Sequence, residues 1–211
     1  MTTLEVDVAT RHQAKDYRRL LTQSHGFLSE AQLGAHFELY HGYVKKLNEI
    51  EALLATTSRE SANYSFGAYS ELRRREPVAY NGVFLHELYF DNLGPRKSEA
   101  SAPFRRAAEK VFGTWDNAMA DLKAMTQSTH GWVLVTCDLE SGRLKHNLVH
   151  SEHEGGLFAN QAVLLAIDCW EHAYFLDYSL RKNDYVDGVL AHLDWAVVQR
   201  RLDHALRTSA R

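Results

Sequence analysis

The feature that most constrains the fold is a long run of apolar residues at helical spacing that begins near Glu30. Apolar side chains recur every three or four residues from Leu33 to Leu54, which predicts one amphipathic helix with a single buried face. Ser29 is followed three residues later by Gln32, a capping-box pattern that places the start of this helix. The N-terminal half of the chain is therefore expected to be built around it.

A second helical stretch follows Pro77 and ends at Gly94-Pro95, a pair that is typical of a helix C-terminus. Residues 56–63 are polar and join the two long helices, which predicts an antiparallel helical hairpin. Residues 64–75 are a candidate for an additional short helix. All of the structure expected in this half is helical.

Residues 94–102 are polar and small, and beyond them apolar residues occur in strand-length runs as well as at helical spacing. We place a domain boundary there, between an N-terminal helical hairpin domain, residues 1–95, and a C-terminal α/β domain, residues 96–211. The second domain is expected to contain a helix, three strands and two further helical stretches, over residues 103–125, 131–137, 143–150, 162–168, 170–180 and 185–206. The predicted fold class is α+β, with a small antiparallel sheet.

Composition narrows the range of functions. The chain has 24 Lys and Arg against 27 Asp and Glu, a formal net charge of −3, so it lacks the broad basic field that binds nucleic acid. No stretch approaches the ~20 apolar residues of a membrane span, and the N-terminus does not resemble a signal peptide. Two cysteines, Cys137 and Cys169, are too few for a disulfide framework. We therefore expect a cytoplasmic protein that binds neither nucleic acid nor a membrane.

Histidine is the most prominent chemical feature, with 12 in 211 residues. Asp168 ends a predicted strand and His172 follows four residues later, so both side chains can converge on one point if the chain turns between them. His36 and His86 lie on the apolar faces of the two long helices. Asp168 could instead cap a helix, and each histidine could instead be a core residue. Together the four residues form a candidate site for iron, manganese or zinc.

The sequence DCWEHAYFLDY, residues 168–178, resembles the D-x-W-E-H-A-Y-x-x-D-Y signature of the iron/manganese superoxide dismutases. The similarity extends to residues 81–93, 112–115, 131–132, 184–186 and 192–193, and covers about residues 30–202. The resemblance implies a helical hairpin followed by an α/β domain with a three-stranded antiparallel sheet. It also implies dismutation of superoxide by one iron or manganese ion per subunit, with a lean to iron.

The resemblance implies a role for each matching residue. The metal ligands would be His36, His86, Asp168 and His172, and the catalytic residues at the metal would be Tyr43 and His153. The active-site wall would contain Trp132, Trp170 and Phe90, and the dimer interface would contain Glu171, Tyr174 and Tyr40. Trp132 and Trp170 could also be plain core residues. The expected assembly is a homodimer or a dimer of dimers.

Two departures from the family pattern lie in the first long helix. His36 and Tyr43 are one residue closer together than in most members, which predicts a regular helix without a bulge between them. Tyr40 replaces the usual histidine one turn after His36. It is either a core aromatic residue or a phenol near the channel that contacts Tyr174 across the dimer.

A third departure concerns the glutamine that hydrogen-bonds the solvent at the metal in many members. Gly82 stands at the helical position where some members have this glutamine, and no glutamine follows the second strand. By register against Gly156-Leu157, His153 takes its place, as in a divergent branch of the family. His146 and His150 are nearby alternatives.

Two other functions stay open on the sequence alone. The same ligands could hold zinc and activate water in a hydrolase, although no residue stands out as its general base. The chain could also be a non-catalytic, metal-stabilised dimer, with the departures near His36 marking lost activity. Metal content and superoxide turnover distinguish these three functions.

Overall fold

The structure, a computed structural model, describes residues 11–23, 26–94, 98–153 and 159–209. Its N-terminal half is the predicted helical hairpin. A short helix, α1 (Arg19–Gln23), precedes two long helices, α2 (Glu30–Thr56) and α3 (Ala68–Asn92), which are joined through the 3₁₀ turn Arg59–Ser61. The apolar faces of α2 and α3 pack against each other, as the helical spacing predicts.

The start of α2 is confirmed, but only half of the predicted capping box forms. The Gln32 N–H donates to Ser29 Oγ at 3.1 Å. The Gln32 side chain does not return to Ser29: its Nε2 donates to the His172 carbonyl at 2.6 Å, and its Oε1 accepts from the Leu176 N–H at 3.0 Å. Gln32 therefore joins the start of α2 to the segment that carries His172.

The second long helix differs from the prediction. The short helix expected at residues 64–75 and the helix expected after Pro77 are one continuous element, α3, with Pro77 inside it. Proline has no N–H, so one helical hydrogen bond is lost. Burial of Val78, Ala79 and Val83 on the same helix supplies the packing that holds α3 together across this point.

The C-terminal half contains the predicted three-stranded antiparallel sheet. Its strands are β1 (Trp132–Asp138), β2 (Leu144–Val149) and β3 (Gln161–Asp168), and their order is β2-β1-β3. The central strand β1 is buried along almost its whole length. Trp132, at the start of β1, pairs with Asp168, at the end of β3, so these two residues lie side by side at one end of the sheet.

The helices of this half are shorter than predicted. The single helix expected at residues 103–125 is two helices, α4 (Ala102–Phe112) and α5 (Trp115–Gln127). They separate because Gly113 adopts a φ of 84°, which ends α4, and the Thr114 side chain accepts a hydrogen bond that starts α5.

The last two helical stretches are also interrupted. The stretch at residues 170–180 contains only the 3₁₀ turn Glu171–Ala173 and the short helix α6 (Phe175–Tyr178). The stretch at residues 185–206 is divided between α7 (Lys182–Ala191) and α8 (Trp195–Ser209). Between α7 and α8 the backbone instead bonds to the end of α3, through Gly94 N–H to the His192 carbonyl and Asp194 N–H to the Asn92 carbonyl.

Some expectations fall on residues that the structure does not describe. The boundary between residues 95 and 96 lies outside the described residues, and so does Gly156-Leu157, the register point used to place His153. Within the described ranges, residues of both halves belong to one apolar core. None of the described helices combines the length and the apolar character needed to cross a membrane.

Candidate metal centre

Three histidines and one aspartate from four separate elements meet at one point. His36 lies on α2, His86 on α3, Asp168 at the end of β3 and His172 in the 3₁₀ turn Glu171–Ala173. One nitrogen or oxygen atom from each of the four lies within 4.8 Å of all the others. The structure thus brings together the four residues that the sequence singled out as a candidate metal site.

The Asp168 carboxylate lies among the three imidazole rings. Its Oδ2 is 3.2 Å from His36 Nε2, 3.7 Å from His86 Nε2 and 3.2 Å from His172 Nε2. Its Oδ1 accepts a hydrogen bond from the Trp170 N–H at 2.9 Å, which holds the orientation of the carboxylate. Burial raises the pKa of Asp168, but the neighbouring His172 and His36 outweigh it and hold the pKa below its usual value. The carboxylate is therefore charged.

One of the two buried histidines, His86, presents a lone pair to this carboxylate. His86 Nδ1 lies 2.5 Å from the Gly82 carbonyl. A carbonyl only accepts, so Nδ1 carries the proton and a neutral ring has its lone pair on Nε2. Burial lowers the pKa of His36 and, more strongly, of His86, which keeps both rings neutral. The Nε2 atoms of His36 and His86 are buried without a hydrogen-bond partner in the described part of the chain.

The donor set fits a metal ion. Buried polar atoms without partners are rare because each one loses its hydrogen bonds to water, and here two such nitrogens lie beside one carboxylate oxygen. A cation bound among the four ligand atoms would satisfy them together. Imidazole and carboxylate ligands suit iron, manganese and zinc, so the set fits a first-row metal without choosing among them.

The predicted aromatic wall lies against the candidate ligands. Trp132 meets His86 edge to face at 5.1 Å between ring centroids, and Phe90 meets His36 at 4.9 Å. Trp170 stacks over His172 at 6.3 Å with an angle of 12° between the rings. Trp132 and Phe90 are fully buried. These side chains cover the histidine rings with apolar surface.

Tyr43, His153 and Trp132 form a hydrogen-bonded chain. The Trp132 indole nitrogen is 2.7 Å from His153 Nδ1, and His153 Nε2 is 2.6 Å from the Tyr43 hydroxyl. Burial lowers the pKa of His153 to about 4, so the ring is neutral at pH 7. An indole N–H only donates, so Nδ1 accepts and Nε2 carries the proton, which it donates to the Tyr43 oxygen. The proton of the Tyr43 hydroxyl is therefore free to be donated to a further group.

The short spacing between His36 and Tyr43 has the predicted structural result. The described helix α2 is α-helical at every position from Glu30 to Thr56, with no π-helical turn. Tyr43 then packs directly on Gly82: a Cβ atom added to Gly82 would lie 2.4 Å from Tyr43 Cδ1. The position of Tyr43 therefore excludes any larger residue at position 82, including the glutamine found there in some family members.

Tyr40 takes the position of a core aromatic residue within the chain, and its expected place at a dimer interface stays a prediction. Tyr40 is fully buried within the single chain. Its hydroxyl donates to Glu87 Oε1 at 2.8 Å and accepts from the Lys15 N–H at 2.9 Å, while Lys15 Nζ lies 2.6 Å from Glu87 Oε2. A buried carboxylate and a backbone N–H of the same chain therefore satisfy the phenol.

The other two candidate interface residues differ in exposure. Glu171 is exposed. Tyr174 keeps only 5% of its surface accessible and stacks on Tyr185 at 4.9 Å between ring centroids. The His172 side chain is 29% exposed, unlike the side chains of the other three candidate ligands. One side of the metal site is therefore open to the surface beside Glu171.

Some hydrogen bonds that position the candidate ligands were not predicted from the sequence. The Tyr185 hydroxyl lies 2.8 Å from the Asp168 carbonyl and 3.0 Å from the Tyr89 hydroxyl, and Gln32 holds the His172 carbonyl. The match at residues 184–186 pointed to Tyr185 but not to this role. No spacing pattern in the sequence indicates contacts between residues so far apart.

The chain is similar to iron and manganese superoxide dismutases, both in a family model and in individual proteins. Residues 100–201 match the family model for the C-terminal domain of iron/manganese superoxide dismutases. The chain is 35% identical over 201 residues to a superoxide dismutase [Fe] of Aquifex pyrophilus, covering 93% of this chain and 94% of that protein. It is 36% identical over 200 residues to a superoxide dismutase [Fe] of Aquifex aeolicus, covering 92% of each. A superoxide dismutase [Mn] 1 of Halobacterium salinarum is 30% identical over 186 residues, 84% of this chain and 88% of that protein.

Proposed function

Because the chain belongs to the iron/manganese superoxide dismutase family, we propose that its dismutase reaction takes place at one iron or manganese ion held by His36, His86, Asp168 and His172. The observation that carries this assignment is the cluster of ligand atoms within 4.8 Å of one another, in which two buried Nε2 atoms have no partner. A bound iron or manganese ion supplies the one-electron exchange that converts two superoxide ions into oxygen and hydrogen peroxide.

The protein must also supply protons, because peroxide leaves as a neutral molecule. Tyr43 is suited to this role. Burial raises the pKa of its phenol, so the hydroxyl keeps its proton at neutral pH. His153 donates to the Tyr43 oxygen, and the Tyr43 proton is then directed to whatever binds beside it. His153 acts on the reaction through Tyr43, since its one N–H is already used.

The aromatic wall limits what can reach the ligands. Trp132, Phe90 and Trp170 cover the histidine rings and offer few groups that could bind a large polar substrate. A small anion such as superoxide fits such a site. The low polarity of these walls also strengthens the hydrogen bonds along the chain from Trp132 to Tyr43.

We propose that the protein is a homodimer or a dimer of dimers whose interface includes Glu171 and Tyr174. The partly exposed His172 supports this, because a partner subunit would cover it, and the exposed Glu171 is adjacent. Phe175, Leu176 and Leu180 add exposed apolar surface nearby in the chain. The mass in solution, measured by light scattering, should be that of two or four subunits, and a single-subunit mass would contradict the proposal.

We infer a cytoplasmic location. Cys137 and Cys169 are both buried and unpaired, which suits a reducing compartment. Recovery of the protein from a membrane or extracellular fraction of its own cells would contradict this.

Metal analysis combined with reconstitution tests the proposed function. We expect one iron or manganese ion per subunit in the purified protein, and rapid superoxide consumption after the apoprotein is reloaded with iron or manganese. Because the curated relatives from Aquifex are named as iron enzymes, we expect higher turnover with iron. Reloading with zinc should fill the site without restoring turnover, because zinc has no redox chemistry. Full loading with iron and with manganese but no turnover with either would contradict the proposal.

A further inference from the structure

The turn that carries His153 has an unusual backbone. The turn Ser151–His153 follows β2, and within it Glu152 has a φ of 55° and His153 a φ of 57°. Both values lie in the left-handed region, where a Cβ atom crowds the backbone. Two consecutive residues other than glycine keep this conformation only if surrounding contacts hold them.

Two side chains of α3 supply such contacts. Asn81 Nδ2 donates to the His153 carbonyl at 2.7 Å. The Arg75 guanidinium forms an ion pair with the Glu152 carboxylate. Both contacts reach from the helix that also carries the candidate ligand His86, five residues after Asn81. The position of His153 relative to that ligand is therefore set through a single helix.

The backbone of His153 decides where its ring lies. The imidazole must present Nδ1 to Trp132 and Nε2 to Tyr43 at the same time, at 2.7 Å and 2.6 Å. The ring is rigid and two bonds from the main chain, so it has little freedom to compensate if the backbone moves. A relaxation of residues 152 and 153 to right-handed or extended angles would carry Nε2 away from the Tyr43 hydroxyl.

We propose that Asn81 is a positioning residue that holds His153 in its left-handed conformation and thereby keeps Nε2 on Tyr43, with the Arg75–Glu152 ion pair as a second tether. The proposal rests on the proposed function, because the orientation of His153 affects turnover only if Tyr43 supplies a proton. No contact between Asn81 and a candidate ligand is needed for this role.

Substitution of Asn81 tests the first tether. Asn81→Asp keeps the shape of the side chain but places an acceptor against the His153 carbonyl, and Asn81→Ala removes the contact. In the metal-loaded enzyme we expect both variants to lower kcat by about tenfold, while KM and metal content stay near the wild-type values. The pH profile of kcat and the visible absorption spectrum of the oxidised enzyme should both shift, because the hydrogen bond to Tyr43 weakens. A purely structural role for Asn81 would leave the pH profile unchanged.

A charge exchange tests the second tether without relying on Asn81. Arg75→Glu should lower kcat by about twofold to threefold, since exposed ion pairs contribute little, and the double variant Arg75→Glu with Glu152→Arg should recover the wild-type value. Arg73→Glu is the matched control: Arg73 lies on the same helix but pairs with Glu76 and contacts Tyr69. It should leave kcat and the pH profile unchanged.

The outcomes separate this inference from the proposed function. If the wild-type enzyme turns over superoxide and the Asn81 variants match it in kcat, pH profile and spectrum, the positioning role is wrong and the proposed function stands. If Arg73→Glu has the same effect as Arg75→Glu, the second tether is wrong. A wild-type enzyme that is fully loaded with iron or manganese and inert overturns the proposed function itself.

Discussion

Replacing Asp168 by asparagine is expected to empty the metal site and abolish superoxide turnover. Asp168 is the one anionic residue of the ligand cluster. At an effective dielectric constant near 20, the attraction between two unit charges 4 Å apart is about 4 kcal/mol, and its loss lowers affinity by about a thousandfold. Asparagine retains an oxygen that can accept from the Trp170 N–H, so the turn after β3 should persist. Metal content per subunit and the superoxide assay, measured on the same preparation, test this.

The matched control for this variant is Asp187→Asn. Asp187 is exposed and pairs with Lys123 at 2.6 Å, so its loss should change stability by less than about 1 kcal/mol and leave metal content unchanged. An Asp168→Asn enzyme with a full complement of metal and wild-type turnover would show that the carboxylate is not a ligand.

The second large effect is expected from His153→Ala. Removing the ring leaves the buried Trp132 indole N–H without its acceptor and the Tyr43 oxygen without its donor. An unsatisfied buried donor costs about 1–3 kcal/mol of folding stability, and loss of a hydrogen-bonding residue next to a metal site lowers activity by about 10–100-fold. The four ligands remain, so turnover should fall far more than metal content. Thermal unfolding, metal analysis and steady-state kinetics measure the three effects.

Two comparison variants sharpen this result. His153→Gln offers an oxygen to Trp132 and an N–H to Tyr43, so it should lose much less activity than His153→Ala. His150→Ala alters an exposed neighbour that contacts Thr129 at 3.3 Å and should leave turnover unchanged. A fully metallated His153→Ala enzyme with normal activity would remove His153 from the proposed role.

Much of the candidate site could be predicted from the sequence because its residues lie on elements with strong local patterns. The apolar spacing of α2 placed His36 on a buried face, and the apolar run of β3 placed Asp168 at a strand end. The spacing of Asp168 and His172 and the two helical histidines then indicated one site, and the family signature supported the same four residues. The spacing between His36 and Tyr43, one residue shorter than in most family members, also predicted a regular helix, which the structure confirms.

The errors arose where local signals competed with long-range packing. Pro77 indicated a helix start, but packing on α2 carries the helix through it. Helical spacing over residues 170–180 indicated one helix, but Tyr174 leaves helical geometry between the 3₁₀ turn and α6. Local propensity contributes less than tertiary packing at such positions, so it does not decide them.

The sequence by itself determined the α+β layout and the positions of the candidate ligands along the chain, and the family resemblance added the prediction that His153 replaces the glutamine. Only the tertiary structure decided which polar groups pair: Tyr40 with Glu87 across 47 residues, Asn81 with His153 across 72, and Gln32 with His172 across 140. The direction of the hydrogen bonds from Trp132 through His153 to Tyr43 also came from the structure. The physical reason is that hydrogen bonds are directional and each group has few of them, so the pairing depends on three-dimensional positions that periodicity along the chain does not encode.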